Sequence, residues 1–100
     1  MRFDRDYYSR VHEQAMPFLS AILRRVLPQG KVDGREYLAL NPRRADSALG
    51  SFKVNLLTGK WADFAVNASG GDVTSLVAYV LCLSQSDAAR AVLRMIGGAP

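Results

Sequence analysis

The 100 residues, 49% hydrophobic and 22% charged, suit one small globular domain and exclude a disordered or fibrous protein. The single cysteine excludes an internal disulfide framework, and neither a signal peptide nor an apolar run of the roughly 18 residues needed to cross a membrane is visible. We therefore expect a cytoplasmic protein without a membrane partner, and the net charge of +4 favours an anionic partner.

The first 28 residues predict a helical arm. Apolar residues recur at steps of three and four between Tyr7 and Leu27, which is typical of an amphipathic helix. Pro17 suits only the first turn of a helix, so we expect two helices, or one kinked helix, with the break near Met16. His12 has polar neighbours on this arm, and we expect it at the surface.

Residues 35–66 predict a small antiparallel sheet of about three strands. Asp33-Gly34 is a tight-turn signal ahead of a first strand at Tyr37–Leu40. A second strand, Ser51–Leu56, alternates apolar and polar residues, and a Thr-Gly turn leads into a third strand at Trp61–Phe64. We expect Asn67–Gly71 to be a loop.

Residues 72–97 predict two carboxy-terminal helices. Asp72 is a suitable N-cap for a nearly apolar helix from Val73 to about Leu83. Ser84 begins a second helix, which Gly97-Gly98 ends. The fold class is therefore α+β, with residues 1–100 forming one domain in which the sheet packs against helices from both ends of the chain.

The central helix and the middle strand should form the core. Leu76, Val80 and Leu83 lie on one side of the predicted helix. Phe52 and Val54 share one face of the predicted strand, and the opposite face carries Lys53. We expect the two apolar sets to pack together.

Three motifs carry a family resemblance across Leu19–Gly97. They are Asn41-Pro42-Arg43-Arg44, the Gly-Ser-Phe-Lys-Val run at 50–54, and Ser69-Gly70-Gly71-Asp72 ahead of an apolar helix. In this order the chain resembles the amino-terminal zinc-ribbon domain of bacterial and phage DNA primases. The resemblance implies a domain that assists recognition of the template strand, whereas nucleotide polymerisation belongs to a separate domain of those primases.

The chain departs from that family at the metal ligands. The resemblance places the first ligand pair at Asn41 and Arg44 and the second within Asp63–Asn67, and none of these positions is Cys or His. A structural zinc site needs four such ligands, so we expect a relative without metal or other cofactor. Zinc contributes on the order of 10 kcal/mol to the folding of zinc-finger peptides. We expect the helical arm and a cluster of Phe52, Trp61 and Phe64 to replace that contribution.

The positive charges concentrate on the predicted sheet and its turns. The candidate nucleic-acid-binding residues are Arg35, Arg43, Arg44, Lys53, Lys60 and Trp61. Trp61 is suited either to stacking on a base or to a half-buried place in the sheet, and the two arginines either to clamping phosphates or to a solvated turn. Gly70-Gly71 could cradle an anion, but capping by Asp72 is favoured there.

No nucleophilic triad or pair of catalytic carboxylates is visible, so we expect no enzymatic activity. The favoured function is a nucleic-acid-binding accessory module for phage or plasmid replication, with single-stranded nucleic acid and a replication protein or other protein as partners. The alternative is a protein-interaction module, such as a small regulator or inhibitor from a mobile element. That alternative needs an exposed apolar patch involving Tyr7, Tyr8 or Phe18.

Overall fold

The computed structural model of the protein describes residues 5–44 and 48–97. Residues 45–47 of the predicted loop after Arg44 and Gly98 of the predicted helix stop lie outside these ranges. The described chain is an α+β fold in which four α-helices accompany one five-stranded antiparallel sheet. The helices are α1 (Arg5–Ala15), α2 (Leu19–Val26), α3 (Val73–Leu81) and α4 (Gln85–Met95), and the strands are β1 (Lys31–Asp33), β2 (Glu36–Ala39), β3 (Phe52–Asn55), β4 (Trp61–Asp63) and β5 (Ala68–Gly70).

The helical arm is broken at the proline, as predicted. A single turn of 3-10 helix, Met16–Phe18, separates α1 from α2 and holds Pro17 in its first turn. Proline is tolerated there because the first turn of a helix makes no use of the missing N–H. The buried side of the arm includes Val11, Ala15 and Leu23.

Each strand pairs with its neighbour in sequence, in the order β1-β2-β3-β4-β5. The register aligns Tyr37 with Val54, Val54 with Trp61, and Trp61 with Gly70 in one row across the sheet. The first three of these side chains are buried. This row therefore belongs to the inner face of the sheet, which packs on the helices.

The prediction of about three strands was wrong, because β1 and β5 also join the sheet. All three residues of β1 are exposed, so this strand has no buried face to produce an alternating pattern. The Asp33-Gly34 signal in fact marks the hairpin turn between β1 and β2. In β5 the sequence Ala-Ser-Gly resembles a loop, since small residues have low strand propensity.

The predicted core between α3 and β3 is present. Leu76, Val80, Phe52 and Val54 are all buried in one cluster. Helix α3 ends earlier than expected, because Cys82 adopts a left-handed conformation after Leu81. Leu83 therefore lies outside the helix, although it still packs against the cluster.

The expected aromatic cluster has a different third member. Phe52 and Trp61 lie 6.0 Å apart between ring centroids, and Tyr79 of α3 lies 6.1 Å from Phe52 and 4.9 Å from Trp61. Phe64 is not part of this cluster, since 71% of its surface is exposed. Trp61 and Phe64 are three residues apart in sequence, and side chains an odd number of positions apart along a strand point to opposite faces.

Side chains cap the beginnings of both carboxy-terminal helices. Asp72 Oδ1 accepts a hydrogen bond from the Ser75 N–H at 2.7 Å, and the Ser84 hydroxyl accepts one from the Asp87 N–H at 3.2 Å. Both predicted N-caps are therefore confirmed.

In the region that the structure covers, no single helix is long and apolar enough to cross a membrane. Helices α3 and α4 reach that length and composition only together, across a bend of 106°.

His12 is a structural contact and not the surface residue that the sequence suggested. Its Nδ1 accepts a hydrogen bond from the Val73 N–H at 3.1 Å, which satisfies a free donor in the first turn of α3. Its ring also lies against Gly59, where an added Cβ would come within 2.8 Å of Cε1. His12 therefore joins α1, the β3–β4 turn and the start of α3.

Candidate nucleic-acid interface

The turn after β2 is built by Asn41-Pro42-Arg43-Arg44. The Arg44 N–H donates to the Asn41 carbonyl at 3.3 Å, and the Arg43 N–H donates to Asn41 Oδ1 at 2.8 Å. Proline suits the second position of such a turn, and a carboxamide that accepts from the backbone two residues later suits the first. The turn reverses the chain and brings Arg44 back towards the sheet.

Asp63 of β4 is fully buried and lies at the centre of a polar network. Its Oδ2 accepts from Asn41 Nδ2 at 2.7 Å and from Arg44 Nε at 3.0 Å, while its Oδ1 accepts from the Ala65 N–H at 2.9 Å. The network continues outward: Arg44 also donates to the Ser51 hydroxyl, and Asn41 Nδ2 also donates to the Tyr79 hydroxyl at 2.8 Å. We call Asn41, Arg44, Ser51, Asp63 and Tyr79 the Asp63 cluster.

These contacts keep Asp63 ionised. Burial raises the pKa of the carboxyl, but hydrogen bonds from Arg44, Asn41 and the Ala65 N–H, together with the charge of Arg44, outweigh burial and lower the pKa to about 2. The Arg44 side chain is 25% exposed and the Asp63 side chain is not exposed at all. The cluster is therefore a satisfied, largely buried ion pair that ties the turn after β2 to β4.

The two candidate arginines of the turn have different environments. Arg44 is bound to Asp63 and Ser51 and is not available as the phosphate clamp that the sequence suggested. Arg43 is exposed, and its guanidinium carbon lies 4.7 Å from the ring centroid of Tyr79. Such a cation–π contact holds the guanidinium in place on one side and leaves its other side open to solvent.

Trp61 is not accessible to a nucleic-acid base in this structure. Only 6% of its surface is exposed, and its indole N–H donates to the Ser75 hydroxyl at 2.9 Å. Gly70 makes room for the ring, because a Cβ at that position would overlap the indole and the Ser75 hydroxyl. The suggested stacking role of Trp61 is therefore corrected to a core role. Gly70 serves this packing, and Asp72 supplies the cap.

The remaining candidates border the outer face of the sheet, opposite the buried row of Tyr37, Val54 and Trp61. Burial alternates along β3, so Lys53 and Asn55 lie on the side opposite Phe52 and Val54. We define the outer face by Glu36, Leu38, Lys53, Asn55, Ala62 and Phe64. Arg35 and Lys60 are exposed in the turns that border it. Lys53 and Glu36 approach to 3.8 Å with both side chains substantially exposed.

A shallow depression of about 150 Å³ lies on this face. Lys53, Asn55, Lys60 and Phe64 contribute to its lining. Phe64 is the residue that the sequence-based site omitted. The alternation that placed Phe52 and Lys53 on opposite faces also separates Trp61 from Phe64, and applying it to β4 would have shown that only one of these two rings can face inward.

The six candidates therefore do not form one surface. Lys53 and Lys60 line the same depression, and Arg35 is exposed in the β1–β2 turn. Arg43 and Arg44 lie at the turn after β2, and the Trp61 side chain is buried. Across residues 5–44 and 48–97, no group of three or more His, Cys, Asp or Glu side chains is arranged to hold a metal ion. No protein-family model matches the sequence, and no curated protein matches it significantly.

Proposed function

We propose that this protein is a non-catalytic nucleic-acid-binding accessory module, related to the template-recognition domains of bacterial and phage primases, that acts in phage or plasmid replication. Its partner is single-stranded nucleic acid, which binds the outer face of the sheet and the basic turns that border it. The recruiting partner is a replication protein.

The observation that carries this proposal is the convergence of Asn41, Arg44 and Asp63. The primase resemblance assigns the first metal-ligand pair to positions 41 and 44 and the second to 63–67. In the folded chain the side chains of Asn41 and Arg44 both hydrogen-bond to Asp63. A buried ion pair thus lies where the resemblance requires a metal to join the same two segments, which supports descent from a zinc ribbon.

The charge distribution supports an anionic partner at the sheet. Lys60 and Arg35 are exposed beside the outer face, and the 3.8 Å pair of Lys53 with Glu36 is a solvent-exposed contact of the kind that contributes little free energy. Lys53 can therefore exchange Glu36 for a phosphate at small cost. Phosphate contacts of this type give binding that is sequence-independent and sensitive to salt.

The proposal is tested by titrating a labelled oligothymidine with the protein at several salt concentrations. If two to four phosphates are neutralised, the slope of log affinity against log salt is about −1.4 to −2.8, at about 0.7 per phosphate for single strands. Replacing Lys53 and Lys60 together by Gln should make the slope shallower by about 1.4. The matched control is the double Gln variant of Arg25 and Arg94, which are exposed on α2 and α4.

An unchanged slope for the Arg25 and Arg94 variant supports the sheet as the binding surface. Equal losses in both double variants would mean that net charge alone attracts the oligonucleotide. Absence of binding at low salt would refute the proposed function.

The alternative protein-interaction function has one supporting observation. Phe18 is 47% exposed at the 3-10 turn between α1 and α2. Tyr7 and Tyr8 do not extend this patch fully, since both pack partly against the core and against each other in an edge-to-face contact with 5.4 Å between centroids. This alternative would be favoured if the parent protein bound no oligonucleotide at low salt but bound a protein partner, and if Phe18→Ala lost that partner.

A further inference from the structure

Phe64 is the most exposed of the large apolar side chains in the described chain, at 71%. It follows β4 directly, and its backbone N–H donates to the Ser51 carbonyl at 3.0 Å, which extends the β3–β4 ladder by one bond. The next residue is also held, because the Ala65 N–H donates to Asp63 Oδ1. The ring is therefore presented to solvent from a fixed backbone at the edge of the outer face.

The surroundings of the ring combine positive charge with an open π surface. Lys53 and Lys60 line the same depression as Phe64, together with the carboxamide of Asn55. Proteins that bind single strands use this combination, in which basic groups follow the phosphates and an aromatic ring stacks on a base. A duplex cannot use the ring in the same way, because its bases are already stacked.

We propose that Phe64 is the base-stacking residue of this protein and that it makes the outer face selective for single-stranded over double-stranded nucleic acid. This inference rests on the proposed function. It adds the residue that stacks on a base and the preference for single-stranded over double-stranded nucleic acid. Glu36 shares the depression with Phe64, so the group that meets the ring should be uncharged. A base has no charge and stacks beside that carboxylate, while its phosphate reaches the lysines.

The carboxylates of Asp33 and Glu36 restrict the path of the bound nucleic-acid strand across the sheet. Asp33 and Glu36 are paired across the β1–β2 hairpin and lie at the Arg35 end of the sheet. Phe64 lies at the opposite end of the sheet, past Asp63 of β4, which is separated from β2 by β3. The nucleic-acid strand is therefore expected to pass over β3 and β4, from Phe64 towards Lys53 and Lys60, and to reach no further across the sheet than Glu36.

The experiment compares the parent protein with Phe64→Ala and Phe64→Tyr. Fluorescence anisotropy is measured with an end-labelled oligothymidine of about 12 nucleotides, a length within the range of small single-strand sites, and with a duplex of equal length. Phe64→Ala should weaken single-strand binding by about 5- to 150-fold, the equivalent of losing one stacked base. The salt slope should stay unchanged, because no phosphate contact is removed. Phe64→Tyr should bind like the parent.

The matched control is Phe18→Ala, which removes an exposed phenyl ring from the helical arm. It should leave both affinities unchanged. Duplex binding should change by less than about two-fold in Phe64→Ala, since stacking is absent there. Because the Phe64 ring is mostly exposed to water, the melting temperatures of all variants should be close to that of the parent protein. A loss of binding can then be distinguished from a loss of the fold.

The outcomes separate this inference from the proposed function. If Phe64→Ala binds the single strand as tightly as the parent, the stacking role is refuted and the basic face remains the binding surface. If Phe64→Ala loses single-strand and duplex binding equally, the selectivity is refuted. If the parent protein binds neither oligonucleotide at low salt, the proposed function and this inference are both refuted.

Discussion

The side-chain nitrogen of Asn41 lies 2.7 Å from a carboxylate oxygen of Asp63, although the two residues are 22 positions apart in sequence. Both side chains are buried. Asn41 also bonds Tyr79 of α3, so the contact joins the turn after β2, strand β4 and a helix. Because buried polar groups are costly when unpaired, this network should be a sensitive point of the fold.

Replacing Asp63 by Ala should lower the free energy of unfolding by about 3 kcal/mol or more. The substitution removes the buried carboxylate that accepts hydrogen bonds from both Asn41 and the partly buried Arg44. Urea denaturation of the two proteins measures the difference. The control is Asp87→Ala, which removes the exposed ion pair with Arg90 and should cost less than about 1 kcal/mol. Equal costs for the two variants would contradict the assigned role of the cluster.

Acid should weaken the folded protein through Asp63. Its pKa is about 2 in the folded state against an ordinary value of 3.8. The folded state therefore favours the ionised form, and the resulting stabilisation is complete above about pH 4 and lost as the pH falls through about 2. The loss is about 2 kcal/mol. Urea midpoints between pH 7 and pH 2 test this, with Asp63→Asn as the control whose pH dependence should be smaller by that amount.

Arg43 and Arg44 should behave differently when replaced singly by Ala. Arg44→Ala leaves a buried carboxylate without its cation and should destabilise the protein by about 3 kcal/mol. Arg43→Ala removes an exposed cation–π contact and should cost about 0.5–1 kcal/mol. Thermal melts distinguish the two variants. If Arg44→Ala melted like Arg43→Ala, the solvated-turn interpretation of both residues would be restored.

Gly70 and Gly71 should also differ. A Cβ at Gly70 would overlap Trp61 and Ser75, whereas a Cβ at Gly71 meets nothing within 4 Å. Gly70→Ala should destabilise the protein by about 1–3 kcal/mol through overpacking and shift the Trp61 emission as the indole moves. Gly71→Ala should be neutral or slightly stabilising. A neutral Gly70→Ala would show that the indole does not need this space.

The protein should unfold cooperatively at the same temperature with and without excess EDTA. The side chains of Asn41 and Arg44 both hydrogen-bond to Asp63, so protein groups alone tie the turn after β2 to β4. Melting followed by circular dichroism, together with elemental analysis of protein purified without chelator, provides the measurement. Stoichiometric zinc or a melting point lowered by EDTA would contradict this expectation.

Local signals made part of the fold predictable. Strand β3 has the alternation of a half-buried strand, Pro17 restricts the helix on either side of it, and Asp72 has the side chain of an N-cap. Strand β1 could not be predicted, because its pairing with β2 buries none of its residues. In β5, Gly70 lacks a side chain where Trp61 lies against it, and this reason appears only when the two strands are adjacent.

The candidate site was less predictable because it depends on contacts between distant segments. Charge alone cannot tell Arg43 from Arg44, since the distinction depends on Asp63, which the sequence shows only as one carboxylate among several. The faces of Trp61 and Phe64 were accessible to reasoning from strand periodicity. That periodicity is weak evidence in a strand as short as β4, and burial in the structure was needed to show which ring faces inward.

The neighbour-to-neighbour order of the five strands has a consequence for how the chain reaches its native state. Every strand pairing closes a short stretch of chain, which costs little loop entropy and favours rapid formation. The contact between His12 and Val73 spans 61 residues instead. We therefore expect the sheet to assemble first and α1 to dock last, so that amides of α1 exchange with solvent through partial opening while those of β3 exchange only on global unfolding.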